Sequence, residues 1–342
     1  MQKYHRLILI GILFGVLVFI VIALLGDASQ MAQYAQSFPW LIMLPVLLLR
    51  FANYTLRFLK WHFYLDLVGV KGVSYRDSAA IFLTGMPLAA SPGKAAEILK
   101  SFILKNLYGA PIASTLPVVA AERMSDGVAV IILTAIALLN LPGARQYWIV
   151  VPLSAIPFVL TITLLQFRGL CLKVLDRLSR LPVIGKYARH FEHFYESSYR
   201  IVQWRSVILT ASLGFMANFL DSIGVFVILL GFGLQPTVEL FFLGMLAISL
   251  SVIAGSASGL PGGIGASDLT IGAVLLAFVF PGDPAKAGFA ALLMRFVQFW
   301  FGVMVGSIVA FFYRKRLFPP SLEKVIAEEE QRREAISLSE TV

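Results

Sequence analysis

The apolar positions along this chain fall into runs of about twenty residues or more, with the polar positions gathered between them. Six runs, at about 7–25, 40–68, 112–139, 147–167, 205–231 and 286–313, are long enough to cross roughly 30 Å of hydrocarbon as helix. No stretch shows the turn-separated, ten-residue alternation of an outer-membrane barrel, so the pattern predicts an all-α integral membrane protein. Two further apolar stretches are broken at their centres. Residues 76–108 contain Thr84-Gly-Met-Pro-Leu-Ala-Ala-Ser-Pro-Gly93, and residues 237–281 contain Gly255-Ser-Ala-Ser-Gly-Leu-Pro-Gly-Gly-Ile-Gly265. Glycine and proline interrupt helical hydrogen bonding there, which predicts two re-entrant helical hairpins beside the six crossings.

The run at 7–25 follows Lys3 and Arg6, the charge order of a signal peptide, but it exceeds an ordinary signal core and lacks a small-residue cleavage site; it reads as a retained anchor. Six crossings and two hairpins place both termini on one side. The segments then assigned to the inner face carry Lys3, Arg6, Lys71, Arg76, Lys100 and Lys105, a cluster from Arg168 to Arg200, and Arg314, Lys315 and Arg316. The outer loops carry only Arg145 and Lys286, the asymmetry expected of a multi-pass protein of the plasma (inner) membrane with cytoplasmic termini.

One hairpin leaves the inner face and the other the outer face, so the halves, about 40–140 and 205–313, form an inverted repeat. Asn53 and Asn218, Pro92-Gly93 and Pro261-Gly262, Glu97 and Asp268, and Arg123 and Arg295 recur in the same order at offsets of 165 to 172 residues. The membrane domain spans 1–316. Its halves are joined by a basic, aromatic segment, 168–204, read either as a helix on the inner headgroups or as a solvated linker. A charged tail, 317–342, follows.

Composition narrows the classes. Of 342 residues, 58% are hydrophobic and 14% charged, and the mean hydropathy is +0.83, far more apolar surface than a soluble core of this length needs. The net charge of +9 sits beside apolar runs, where it meets anionic headgroups, so a nucleic-acid partner is not expected. A single cysteine, Cys171, excludes an intramolecular disulfide and a cysteine-built metal site. His5, His62, His190 and His193 are scattered, and no phosphate-loop glycine pattern occurs. Neither a metal, a cofactor nor an enzymatic activity is predicted.

The chemistry lies in charges placed inside apolar runs, each of which needs a partner, water or a ligand. Arg123 and Arg295 fall about mid-way through the helices that follow the two hairpins. At the hairpin breaks, Pro92-Gly93-Lys94 and Pro261-Gly262-Gly263-Ile264-Gly265, new half-helices begin whose unpaired N–H groups and positive dipole ends suit an anion. Glu97 and Asp268 stand early in those half-helices. They either pair structurally with Arg123 and Arg295 or receive a cationic headgroup. Glu122 and Asp126 flank Arg123 and either hold it or touch substrate. In the run at 40–68, Arg50, Asn53, Arg57 and Lys60 share one helical face that lipid would not tolerate, with Lys60 near enough to the inner surface to snorkel. Gly302 and Gly306 read as close helix packing.

Through Ser91-Pro-Gly-Lys-Ala-Ala-Glu-Ile-Leu-Lys100, Glu122-Arg123-Met-Ser-Asp126 and Pro261-Gly-Gly-Ile-Gly-Ala-Ser-Asp268, the chain resembles, over about residues 5–315, the lysylphosphatidylglycerol synthase transmembrane family, the flippase-like membrane region of the multiple peptide resistance factor and its stand-alone relatives. The resemblance implies inverted halves with re-entrant elements and movement of aminoacylated phosphatidylglycerol between leaflets. It does not extend to a soluble aminoacyl transferase, so synthase activity is not carried over. Ala96 stands where that family usually has glycine, and Asp268 where glutamate is common, departures that keep the charges and leave the headgroup open.

The expectation is a lipid translocase whose substrate, aminoacylated phosphatidylglycerol or another phosphate-bearing lipid, is held at Pro92, Gly93, Lys94, Glu97, Arg123, Asp126, Pro261, Gly262, Gly263, Gly265, Asp268 and Arg295, with Arg50 and Arg57 along its route. The alternatives are a non-catalytic membrane scaffold for a lipid- or glycan-modifying enzyme, an integral-membrane transferase and a small-solute transporter. Homo-oligomerisation is left open.

Overall fold

The computed structural model describes residues 28–89, 95–169, 171, 173, 177, 188–319, 321 and 322. The predicted anchor at 7–25, the first hairpin's break at 90–94, most of the segment 170–187 and the tail beyond 322 lie outside the described residues. Among the described residues the chain is all helix, turn and coil. The helices are α1 (Ala28–Ser37), α2 (Met43–Leu67, led in by a short 3-10 turn at Trp40–Ile42), α3 (Tyr75–Leu88), α4 (Ala95–Tyr108), α5 (Ile112–Asn140), α6 (Val150–Gln166) and α7 (Ala188–Ile201). They continue with α8 (Trp204–Leu230), α9 (Val238–Ala257), α10 (Ala266–Phe278), α11 (Pro284–Arg295), α12 (Phe301–Phe312) and α13 (Arg314–Leu317). A π-helical turn, Phe296–Trp300, joins α11 to α12.

Side chains supply the starts of several helices by satisfying otherwise orphaned amides. The Ser74 hydroxyl accepts from the Asp77 N–H at 3.1 Å ahead of α3, and the Thr237 hydroxyl from the Leu240 N–H at 3.1 Å ahead of α9. Asp283 accepts from the Lys286 N–H at 2.8 Å, with Pro284 at the first helical position of α11, where its missing N–H costs nothing.

Among the described residues, five helical stretches are long and apolar enough to cross a membrane: Trp40–Leu67, Trp204–Leu230, Val238–Ala257, Pro261–Phe278 and Pro284–Phe312. The first hairpin's arms, α3 and α4, have 14 residues each, about 21 Å, which is shorter than the hydrocarbon core. The second hairpin's arms, α9 and α10, pack against each other and are stitched near their turn, where the Ser267 hydroxyl donates to the Ser251 carbonyl at 2.8 Å. A Cβ on Gly255 would lie 2.2 Å from that same hydroxyl, so the two arms close only over glycine.

The apolar interior is divided. One cluster gathers Val46, Val225, Ile228, Ile248, Ile271 and Met294 with their neighbours; another gathers Trp61, Tyr64, Ile81, Ile103, Leu104 and Val118 with theirs. A third joins the ends of α5 and α9 through Leu133, Leu138 and Met245. Helix α2 contributes Val46 to the first cluster and Trp61 to the second. Its residues 50–60, between those two, hold Arg50, Asn53, Arg57 and Lys60. A polar layer therefore separates two hydrophobic cores, and it lies where α2 packs along α8 and touches α5.

Candidate functional site: a charged seam between the two halves

The four polar residues of α2 do share one face, and each finds a partner across the seam. The Arg50 guanidinium reaches both Asp221 oxygens, at 2.7 and 2.8 Å, and donates to the Gln298 carbonyl of the π turn. Its plane also lies 4.7 Å from the Tyr54 ring centroid. Asn53, fully buried, donates to the Ala217 carbonyl at 2.7 Å. Arg57 donates to Asn53 at 3.0 Å, to Asn218 at 3.3 Å and to Asp126. Lys60 pairs with the other Asp126 oxygen. Asn53 and Asn218, equivalent in the proposed repeat, are thus joined through one arginine.

The seam corrects two sequence expectations. Lys60 does not snorkel to the inner surface: it is 1% exposed, because Asp126 on α5 offers its ammonium a counter-charge inside the protein. Glu122 takes the Lys100 ammonium at 3.1 Å, and Asp126 takes Arg57 and Lys60. Lys100, read from sequence as an inner-face charge, is instead buried, its ammonium 4.5 Å from the Trp61 ring centroid and 5.3 Å from that of Phe82. Arg123 is exposed on α5, close enough for its charge to bear on Asp126.

The second hairpin brings together the residues the sequence grouped there. Gly262, Gly263 and Gly265 have φ of 59°, 63° and 87°, a left-handed backbone that side chains resist, and Pro261 opens the tight turn before α10. Asp268 accepts from the Gly265 N–H at 2.8 Å and lies 3.2 Å from Arg295, which donates to the Gly262 carbonyl. Asp268 and Arg295 are 5% and 4% exposed. The anion that meets this half-helix is therefore the protein's own carboxylate, and of the two roles the sequence left open for Asp268, the ion pair with Arg295 is present. Pro92, Gly93 and Lys94 lie outside the described residues, as does the Glu97 side chain, although the Glu97 backbone belongs to α4.

Asp221 is the residue that sequence reasoning missed. The signal was available: it is the one acid in the apolar run 205–231, and a carboxylate so placed demands a cation. The glycine reading held, since a Cβ on Gly306 would lie 2.3 Å from the Leu83 carbonyl and one on Gly302 2.8 Å from the Tyr54 hydroxyl.

No solved structure matches this chain. It is 21% identical, over 306 residues covering 85% of this chain and 89% of the relative, to a protein described as UPF0104 membrane protein from Methanothermobacter thermautotrophicus. The family model described as lysylphosphatidylglycerol synthase TM region matches residues 8–306, nearly the whole membrane domain, and the chain is a multi-pass membrane protein belonging to that family.

Proposed function

We propose that the protein moves a phosphate-bearing lipid between leaflets, with the headgroup passing along the seam of α2, α5 and α8. The observation that carries this reading is the charge balance there. Arg57, Lys60 and Lys100 face only Glu122 and Asp126 among the described residues of the seam. Three cations against two carboxylates leave one charge uncompensated; such a charge inside a bilayer is costly, and an anion at Arg57 offsets it. Arg57, with a side chain 21% exposed, is the seam cation open to such a ligand, whereas Arg295 is closed off in this arrangement. Acyl chains stay in lipid, and the chain acts without chemistry of its own. The two hairpins, short-armed at α3–α4 and glycine-hinged at α9–α10, are the elements that move.

The test is reconstitution in liposomes with leaflet-reporting lipids: aminoacylated phosphatidylglycerol, a zwitterionic phospholipid and a polyprenyl phosphate, with and without a proton gradient. Translocation of at least one is expected. Arg57→Lys and Arg123→Lys should each lower it by about tenfold or more with insertion intact, because a guanidinium holds phosphate bidentately and an ammonium does not. If no lipid in the panel moves, the scaffold reading takes precedence.

A further inference from the structure

Beside the Arg50–Asp221 pair lies a small recess between α2, α8, α9, α11 and the π turn. Arg50, Asp221 and Gln298 form its polar wall, and Val46, Ile248 and Met294 part of its apolar one. Its free volume is about 10 Å³, room for about one water and no headgroup. Two buried polar atoms on residues that line it have no hydrogen-bond partner among the described residues: Arg50 Nε, a donor on a residue only 8% exposed, and Gln298 Oε1, an acceptor. A donor and an acceptor left unpaired in the interior each cost free energy comparable to a lost hydrogen bond.

We infer that this recess is a binding site for a single water molecule bridging Arg50, Gln298 and Asp221. Water alone is small enough and can accept from Nε–H while donating to the amide oxygen and to the carboxylate. An anion fits the guanidinium but not the unpaired amide oxygen; a metal cation fits the oxygens but not the unpaired N–H. The position gives the site its consequence. Arg50 belongs to one half of the repeat, Asp221 and Gln298 to the other, and the water sits at a π turn, a feature frequent at functional sites. The interface between the halves is thus hydrated at one defined point, where solvent gains its foothold when the halves separate. This holds whether or not the protein moves lipid.

Radiolytic hydroxyl-radical footprinting of the full chain in lipid nanodiscs tests it, because radicals form at bound water and oxidise adjacent methionine. Met294 and Met245 are each 1% exposed, but only Met294 lines the recess, and Met304, 45% exposed, calibrates the dose. Met294 is expected to oxidise several-fold faster than Met245, and Gln298→Leu to abolish that excess. Equal rates in the unmodified protein would overturn the site; an excess that survives Gln298→Leu would overturn the bridging role. Should the variant fail to fold, rapid mixing into ¹⁸O-water decides with the native chain alone: label should enter oxidised Met294 later than oxidised Met304, and simultaneous labelling counts against a bound water.

Discussion

At the scale of single residues, the seam is set by how few carboxylates serve its cations. Asp126 holds both Arg57 and Lys60, so removing its charge strands a buried and a half-buried cation together. Asp126→Asn is expected to destabilise the protein by about 3–5 kcal/mol, the usual cost of orphaning a buried charge. Adding Lys60→Met should recover part of that loss, since one stranded cation is gone. Thermal unfolding of the single and double variants in one detergent measures the coupling, and additive effects would mean that Lys60 and Asp126 do not depend on each other. Asp268–Arg295 was open to a sequence reading because Asp268 follows a recognisable break and Arg295 stands mid-way through the apolar run after it. Lys60 and Lys100 were not, because the stem of a lysine lets one sequence position serve either an interface or an interior, and only the partner decides.

At the scale of elements, the joints depend on contacts the sequence names and contacts it hides. The small residues of α12 were readable as packing, and the two glycines differ in what they meet. An added Cβ at Gly306 strikes the Leu83 carbonyl and Pro87 of α3, fixed atoms, whereas at Gly302 it strikes the tip of Tyr54. Gly306→Ala should therefore cost about 1–3 kcal/mol, the scale of an overpacked core, and Gly302→Ala less; equal melting temperatures for the two variants would contradict that ordering. Hidden from the sequence was the clasp at the foot of the first hairpin. Arg316 of α13 donates to both Asp77 oxygens at 2.6 Å, and Tyr108, at the end of α4, also donates to Asp77. The Arg316 guanidinium, more than the Tyr108 and Ser74 hydrogen bonds, pulls the Asp77 carboxyl down to about 2. Its stabilisation is complete above the ordinary carboxylate value near 3.9 and is lost as the pH falls through about 2. Arg316→Gln should move acid-induced loosening of α3 to higher pH, as followed by hydrogen exchange of its amides; an unchanged acid limb would assign the clasp no role. Sequence assigned Arg316 only to the inner basic cluster, because the partner lies 239 residues away.

At the scale of the whole molecule, the polar layer between two apolar clusters and the two interrupted hairpins make one prediction about depth. The all-α membrane class was legible from the apolar runs, since only helices and closed barrels satisfy the backbone in lipid and no run has a barrel's alternation. How deep each hairpin goes was not, because a run of twenty apolar residues specifies a capacity to span and no tilt. The lengths now bear on it. From the C-terminal end of α10 to Asp268 the helix advances by about 15 Å, and from the start of α11 to Arg295 by about 17 Å, so with those two ends at one surface the pair is predicted to meet near the middle of a 30 Å core. The turn at Gly259–Gly265 adjoins that pair, and the re-entrant reading predicts that the tip of the second hairpin lies inside the bilayer. A spin label at Leu260, 43% exposed, should report a mid-bilayer depth from oxygen and nickel-chelate accessibility. Labels at Gln235 and Gly282 should both report the outer surface, and labels at Lys71 and Asn106 both the inner one. A headgroup-depth signal at Leu260 on the inner side would turn the second hairpin into two full crossings. Asp268–Arg295 would then lie at the membrane surface, where water satisfies both charges, and the reason for burying that pair at a glycine hinge would be gone.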